Sequence, residues 1–299
     1  MSRRVLTSCV VVAAHVLGCG GPRAPVAYPV DAIRVGVDPR AEADAVAQGL
    51  ASAGFSVTDR VDLPRVTVLG LERASPAATA VRVVTSRGVA WFADGAPDGE
   101  LVAVTLLAHA PGAHAPDLDG DGEPEVVVLG RAAGDSRACA VMLRVTRDGA
   151  VTPIRVDTSA LGPGVCVEDV DDVDGDGRAE AIAVARFPDA ARGEPPTVAF
   201  PLALGGDGVA HVCRCPAYWA DVRQRLDAEL ASAHAAADAD AACRVAVELA
   251  AVAGRADDTA AAVAAFDGAV TGLALDAEQT ELVARARELV SAGLRSRGR

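Results

Sequence analysis

The stretch that decides the fold is Asp117-Leu118-Asp119-Gly120-Asp121-Gly122-Glu123-Pro124-Glu125, which directly precedes an apolar run. The pattern recurs at residues 172–180, 55 positions further on, and is again followed by an apolar run. Three aspartates alternate in each copy, so their side chains converge when the loop curls, and the glycines permit the tight turn. Two copies in one register indicate a repeated structural unit.

The segments around these loops repeat as well. Residues 64–70 match 124–130 at an offset of 60, and residues 81–88 match 142–149 with a slip of one. A third copy follows the second loop, with Gly206-Asp207-Gly208 as its hairpin turn. Each unit therefore predicts a strand after the loop and then a two-stranded hairpin.

A fourth strand is predicted to lead from one unit into the next, at Leu101 to Ala108 and at Val165 to Glu168. Four short strands per unit are typical of a propeller blade, whereas closed propellers have about four to eight blades. The sequence therefore predicts propeller-like antiparallel β repeats that do not form a complete ring.

The flanking segments have another character. Ile33 to Val37 and Phe55 to Val61 are predicted strands, with a helix at Ala41 to Ala53 between them. Ala, Leu, Val, Arg and Glu at helical spacing predict helices at about 217–235, 239–253, 257–271 and 276–292. The predicted class is α+β, with an α/β lead-in at 31–56, a β-repeat domain at 57–212 and a helical bundle at 213–299.

The first nineteen residues predict export. Arg3 and Arg4 precede an apolar run that is too short to span a bilayer comfortably. Its end, Val16-Leu17-Gly18-Cys19, resembles the lipobox of bacterial lipoproteins, which implies acylation of Cys19 after cleavage. The alternative is an ordinary signal peptide cut near Gly20 or Gly21. Residues 20–30 then form a tether, and the expected location is the cell envelope, at the outer membrane or the periplasmic face.

The two acidic loops are candidate calcium sites, because calcium takes six to eight oxygen ligands from closely spaced carboxylates and carbonyls. An EF-hand would need a Glu at the twelfth position, where Val128 and Ala183 stand. The simpler alternative is a pair of solvated acidic turns. The candidate ligands of the first loop are Asp117, Asp119, Asp121, Glu125 and the carbonyl of Glu123. Those of the second are Asp172, Asp174, Asp176, Glu180 and the carbonyl of Arg178.

The pattern Asp-x-Asp-Gly-Asp-Gly-x-x-Glu before a β run resembles the FG-GAP and VCBS families, the blades of integrin α-subunit propellers. The resemblance covers about residues 57–212 and implies calcium-stabilised blades that present a binding surface. In the first unit the corresponding residues are Val57, Asp59, Val61 and Arg65, with only one acid among them. We therefore expect no metal there.

Five cysteines remain after Cys9 and Cys19, so at least one is free or pairs between chains. We predict that Cys213 or Cys215 bridges Cys243. Two alternatives stay open: a zinc site made by these three residues with His211, and unpaired core cysteines.

Charge and the absence of common motifs argue against several classes of function. The net charge of -13 argues against general nucleic-acid binding, and the chain lacks the common hydrolase, metalloprotease and phosphate-binding motifs. We therefore expect an envelope-anchored, calcium-stabilised binding or scaffolding module for an unknown protein or surface ligand, without catalytic activity. The alternatives are an accessory protein or cryptic hydrolase of the envelope, and a helical tail that recruits a protein partner.

Overall fold

The structure is a computed structural model that describes residues 38–94, 99–103, 117–122, 125–132, 137–156, 161, 165–192, 194–206, 208–255 and 258–293. The predicted signal sequence, Cys19, the tether and the predicted strand at Ile33 to Val37 lie outside the described residues. The same holds for Glu123. Within the described part the protein is a mixed α/β structure with antiparallel sheets and a helical C-terminal region.

The chain enters the first sheet through a helix. Helix α1 (Pro39–Ala51) begins after Asp38, whose carboxylate accepts a hydrogen bond from the Arg40 amide at 3.0 Å. It ends before Gly54, which has a φ of +84° and so turns the chain where an L side chain would be strained. The first sheet follows as an antiparallel meander of four strands: β1 (Phe55–Asp62), β2 (Val66–Ala74), β3 (Ala77–Thr85) and β4 (Gly88–Asp94).

Two further sheets repeat this meander. The second contains β5 (Gly99–Ala103), β6 (Val126–Ala132), β7 (Ala138–Val145) and β8 (Val151–Pro153). A short strand, β9 (Arg155–Val156), leads to the third, which contains β10 (Cys166–Asp171), β11 (Glu180–Arg186), β12 (Thr197–Leu204) and β13 (Val209–Val212). Strand β9 pairs in parallel with β13 and adds a fifth strand to the third sheet.

The predicted repeat is correct in its strands and wrong in how the strands are grouped. Strands β2 and β6 begin 60 residues apart, at Val66 and Val126, as the repeat predicts. Of the predicted strand at Leu101 to Ala108, residues 104–108 lie outside the described residues and the rest belongs to β5. The two strands that were predicted to lead into the next unit are instead the first members of its sheet, because β5 pairs with β6 and β10 pairs with β11. In the same way Phe55 to Val61, predicted as part of the lead-in, belongs to β1 and pairs with β2.

The sheets stack face to face because apolar residues occupy both faces of their central strands. Val66 and Val68 of β2 pack with Val126 and Val128 of β6 in one buried cluster. On the opposite face of the first sheet, Leu69 and other buried side chains pack against α1. The far face of the second sheet, with Val127 and Met142, belongs to the core that continues through the third sheet into the helices. Helices therefore cover both ends of the stack.

The four predicted C-terminal helices are confirmed to within about three residues. They are α2 (Pro216–Ala235), α3 (Ala239–Gly254), α4 (Thr259–Val270) and α5 (Ala277–Ser291). Asp258 and Asp276 cap α4 and α5 by accepting backbone hydrogen bonds. Leu249, Phe266 and Leu282 meet in the buried core.

Three hydrogen bonds attach these helices to the third sheet. The Tyr218 hydroxyl donates to the Ala199 carbonyl and the Trp219 indole N–H donates to the Cys213 carbonyl, each at 3.0 Å. The Thr197 amide donates to the Glu248 carboxylate of α3, also at 3.0 Å. Burial raises the pKa of Glu248, and the nearby Arg244 opposes this shift. None of the helices within the described ranges is both long and apolar enough to span a membrane.

Candidate metal centre

The second acidic loop connects β10 to β11 and is organised by its first residue. One carboxylate oxygen of Asp172 accepts hydrogen bonds from the amides of Gly175 and Asp176, at 2.8 and 3.1 Å. The other accepts from the Gly177 amide at 3.0 Å. Gly175 and Gly177 have φ values of +76° and +88°, which only glycine adopts without strain. The loop thus wraps around the Asp172 carboxylate.

The first acidic loop, which precedes β6, has the same geometry. The Asp117 carboxylate accepts from the amides of Gly120, Asp121 and Gly122 at 2.7, 3.1 and 2.9 Å. The three hydrogen bonds to the first aspartate have equivalent donors in both loops, although the loops precede strands of different sheets. The repeated sequence pattern is therefore a repeated backbone conformation.

A buried glutamate closes each loop. Glu125 is 3% exposed and Glu180 is 4% exposed. Glu125 accepts one hydrogen bond from the Leu118 amide at 2.6 Å, and Glu180 accepts one from the Val173 amide at 3.2 Å. Within the described residues, the second carboxylate oxygen of each glutamate has no hydrogen-bond partner. Each buried site therefore has one carboxylate oxygen free to bind a ligand.

The electrostatics of these glutamates favour a positive ligand. Burial raises the pKa of both Glu125 and Glu180 to about 7, and the backbone hydrogen bond to each opposes the shift. The three aspartates of each loop raise it further. At neutral pH a bound cation would relieve both the burial of charge and the repulsion between carboxylates.

Within the part of the chain that the structure describes, candidate ligand atoms converge in three groups, and the atoms of each group lie within 4.8 Å of one another. One group joins Asp117, Asp119 and Glu125, and a second joins Asp172, Asp174 and Asp176. The third places Glu180 with Asp174 and the sulfur of Cys215. Four predicted ligands of the second loop therefore fall into two groups that share Asp174, whereas three predicted ligands of the first loop form a single group. A cation that prefers oxygen ligands fits the carboxylates of these groups.

The first sheet has no comparable loop. Its β1 and β2 are joined by Leu63, Pro64 and Arg65 alone, and the Leu63 amide donates to the Val66 carbonyl at 2.9 Å. Val57, Asp59 and Val61, aligned above with the three aspartates, lie inside strand β1. Asp59 is therefore a strand residue and not the remnant of a loop.

The predicted bridge to Cys243 is wrong. Cys213 pairs with Cys215, with 5.3 Å between their Cα atoms, and Cys243 is a free, buried cysteine. The Cys243 thiol lies 3.8 Å from the Ala190 carbonyl, inside the core between α3 and the third sheet. Because Cys213 and Cys215 form a disulfide, the zinc alternative lacks their thiolates.

Other cysteines and several contacts of the loops were missed at the sequence level. Cys139 of β7 pairs with Cys166 of β10 and so ties the second sheet to the third. Arg144 of β7 forms an ion pair with Asp119 at 3.0 Å. Leu118 is buried in the core at the second position of its loop. The odd number of cysteines does not indicate which of them pair. The loop pattern does not indicate that Arg144 of β7 would form an ion pair with Asp119.

Comparison with known proteins adds no assignment, because no protein-family model, curated protein or solved structure matches the chain.

Proposed function

We propose that the protein is a calcium-stabilised binding or scaffolding module without catalytic activity of its own. The observation that carries the proposal is the pair of loops with matching hydrogen bonds, each closed by a buried glutamate with an oxygen free to bind. Calcium is the proposed ion because the available donors are carboxylate and carbonyl oxygens, which suit a hard cation. Its role is structural, since a site filled by four carboxylates leaves little room for an activated water.

We propose further that the sheets are propeller-like blades of the FG-GAP or VCBS type in an open stack. Three antiparallel meanders that pack in chain order support this idea. The helices that cover both ends support a stack that needs no further blades for closure, because they bury the apolar faces that a ring would bury by closing.

The alternatives gain less support. Recruitment of a partner by the helices would be favoured by exposed apolar residues along them, but the large hydrophobic residues exposed in the described part are Val57, Val89 and Phe92, all in the first sheet. A cryptic hydrolase would be favoured by perturbed carboxylates in a cleft away from the loops. Glu248, the described carboxylate outside the loops with a raised pKa, is instead paired with Thr197 and Arg244 between α3 and the sheet.

Calcium stoichiometry tests the proposal. We expect isothermal titration of the full chain with calcium to give two ions per chain, and the double variant Glu125→Gln with Glu180→Gln to bind neither tightly. Glu248→Gln is a matched control, because Glu248 is 5% exposed and also accepts one backbone amide, but lies away from the loops. Binding of two ions by the double variant, or no binding by the unaltered chain, would contradict the proposal.

We also propose that the module is held at the cell envelope by a lipid on Cys19. The support is the leader and lipobox-like sequence alone. Cys19→Ser should release the protein from membranes or leave the leader uncleaved. Cell fractionation would measure membrane partitioning, and mass spectrometry would measure cleavage. If both were unchanged in the variant, the lipid anchor would be refuted.

A further inference from the structure

We propose that the two acidic loops bind their cations cooperatively and that Arg178 couples them. This inference rests on the proposed function, because it needs two occupied loops. It goes beyond that function by making the pair a single coupled unit. Arg178 and its neighbour Ala179 make three contacts that connect the loops, and the buried glutamate of each loop points to a cation there.

The first two contacts are through the backbone. The Arg178 amide donates to the Asp176 carboxylate of its own loop at 2.8 Å. The next amide, that of Ala179, donates to the backbone carbonyl of Asp117 in the first loop at 3.1 Å. Asp117 is the residue whose carboxylate holds three amides of the first loop. Two consecutive amides therefore connect a ligand residue of one loop to the organising residue of the other.

The third contact is made by the Arg178 side chain, which lies against Gly120 of the first loop. A Cβ at position 120 would clash with the Nε and Cζ atoms of Arg178. At the equivalent position of the second loop, a Cβ built on Gly175 would meet nothing within 4 Å. The guanidinium group thus occupies space that an alanine at position 120 would need, and the contact is specific to the first loop.

The expected coupling is positive. An ion in the second loop would fix Asp176 and, through the candidate carbonyl ligand, Arg178. Arg178 and Ala179 would then hold Gly120 and the Asp117 carbonyl in place, so an ion entering the first loop would have less conformational entropy to lose. Thermodynamic linkage makes the effect reciprocal. Couplings of this kind typically change affinity by about 5-fold to 150-fold, so we expect at least about fivefold here.

Calcium titration of the full chain with matched glycine variants tests the coupling. In the unaltered chain the second ion should bind at least about fivefold more tightly than two independent sites allow. Arg178→Ala and Gly120→Ala should each still bind two ions, but with clearly weaker coupling, because the side-chain contact is lost and only the two backbone contacts remain. Gly175→Ala is the matched control: the φ values of Gly120 and Gly175 are +74° and +76°, so both alanines are equally strained, yet only the one at 120 displaces Arg178.

Each outcome is informative. Two ions that bind independently in the unaltered chain, or coupling that is as strong in Arg178→Ala and Gly120→Ala as in the unaltered chain, would overturn the role of Arg178 and leave the calcium sites in place. Coupling lost in Gly175→Ala to the same extent as in Gly120→Ala would show that loop strain is the cause, and would also overturn the role of Arg178. No calcium binding by the unaltered chain would overturn both this inference and the proposed function.

Discussion

The first and third sheets share one meander but differ in the connection between their first two strands. Three residues, Leu63, Pro64 and Arg65, join β1 to β2, whereas β10 and β11 are joined by residues 172–179. Since a three-residue connection suffices for the fold, the longer acidic loop is not a requirement of the sheet. Its aspartates and its buried glutamate are therefore better explained by a ligand than by the need to turn the chain.

The largest expected effect concerns the link between the two sheets that carry the loops. The Cys139–Cys166 disulfide joins residues 27 apart, so removing it by Cys139→Ser with Cys166→Ser should lower the free energy of unfolding by about 3.5 kcal/mol. Cys213→Ser with Cys215→Ser should cost about 1.3 kcal/mol, because that disulfide closes a very short loop. Urea unfolding would measure both. Equal losses in the two variants would contradict this ranking.

A second prediction compares an aspartate of a loop with one of a strand. Asp172→Ala removes the acceptor of three loop amides and should lower the free energy of unfolding by about 2 kcal/mol even without calcium. Asp59→Ala in β1 should change it by less than about 0.5 kcal/mol. Urea unfolding in the presence of a chelator would measure both. If the two variants were equally stable, the loop would not be organised by its first residue.

The smallest expected effect distinguishes the two loops from each other. Arg144 pairs with Asp119 at 3.0 Å, while the described contacts of the equivalent Asp174 include no ion pair. Arg144→Met should therefore strengthen calcium binding at the first loop by about threefold, a modest gain because the pair is partly screened by solvent. Isothermal titration would measure it. Weaker binding would mean that Arg144 positions Asp119 for the ion rather than competing with it.

Much of the β region could be predicted because repetition is a property of sequence. The match between 64–70 and 124–130 placed β2 and β6, and the alternating aspartates predicted loops whose carboxylates converge. The glutamate that closes each loop was predicted from its spacing. Its near-complete burial was not, because burial depends on the sheets that pack around it.

The remaining features depend on neighbours in space. Cys139 and Cys166 pair because β7 packs against β10, and no spacing rule indicates that contact. The predicted grouping of strands was wrong because a strand that precedes a loop can pair with the strand before it or with the strand after the loop. The sequence does not distinguish these pairings, whereas the hydrogen bonds show that β5 and β10 pair with the strand after the loop. The contact between Arg178 and Gly120 likewise joins two loops that the sequence separates by more than fifty residues.

Thermal unfolding with and without calcium tests the central claim most directly. Calcium should raise the melting temperature of the unaltered chain when its concentration is scanned upward from about 0.1 to 1 mM, the usual dissociation constants of extracellular modules. Each independent site should add about 2.7 kcal/mol when calcium is a hundredfold above its dissociation constant. Asp121→Ala and Asp176→Ala should weaken this response, and Asp59→Ala should leave it unchanged. A melting temperature that ignores calcium, or an Asp59→Ala variant that behaves like Asp121→Ala, would show that the loops are only acidic turns.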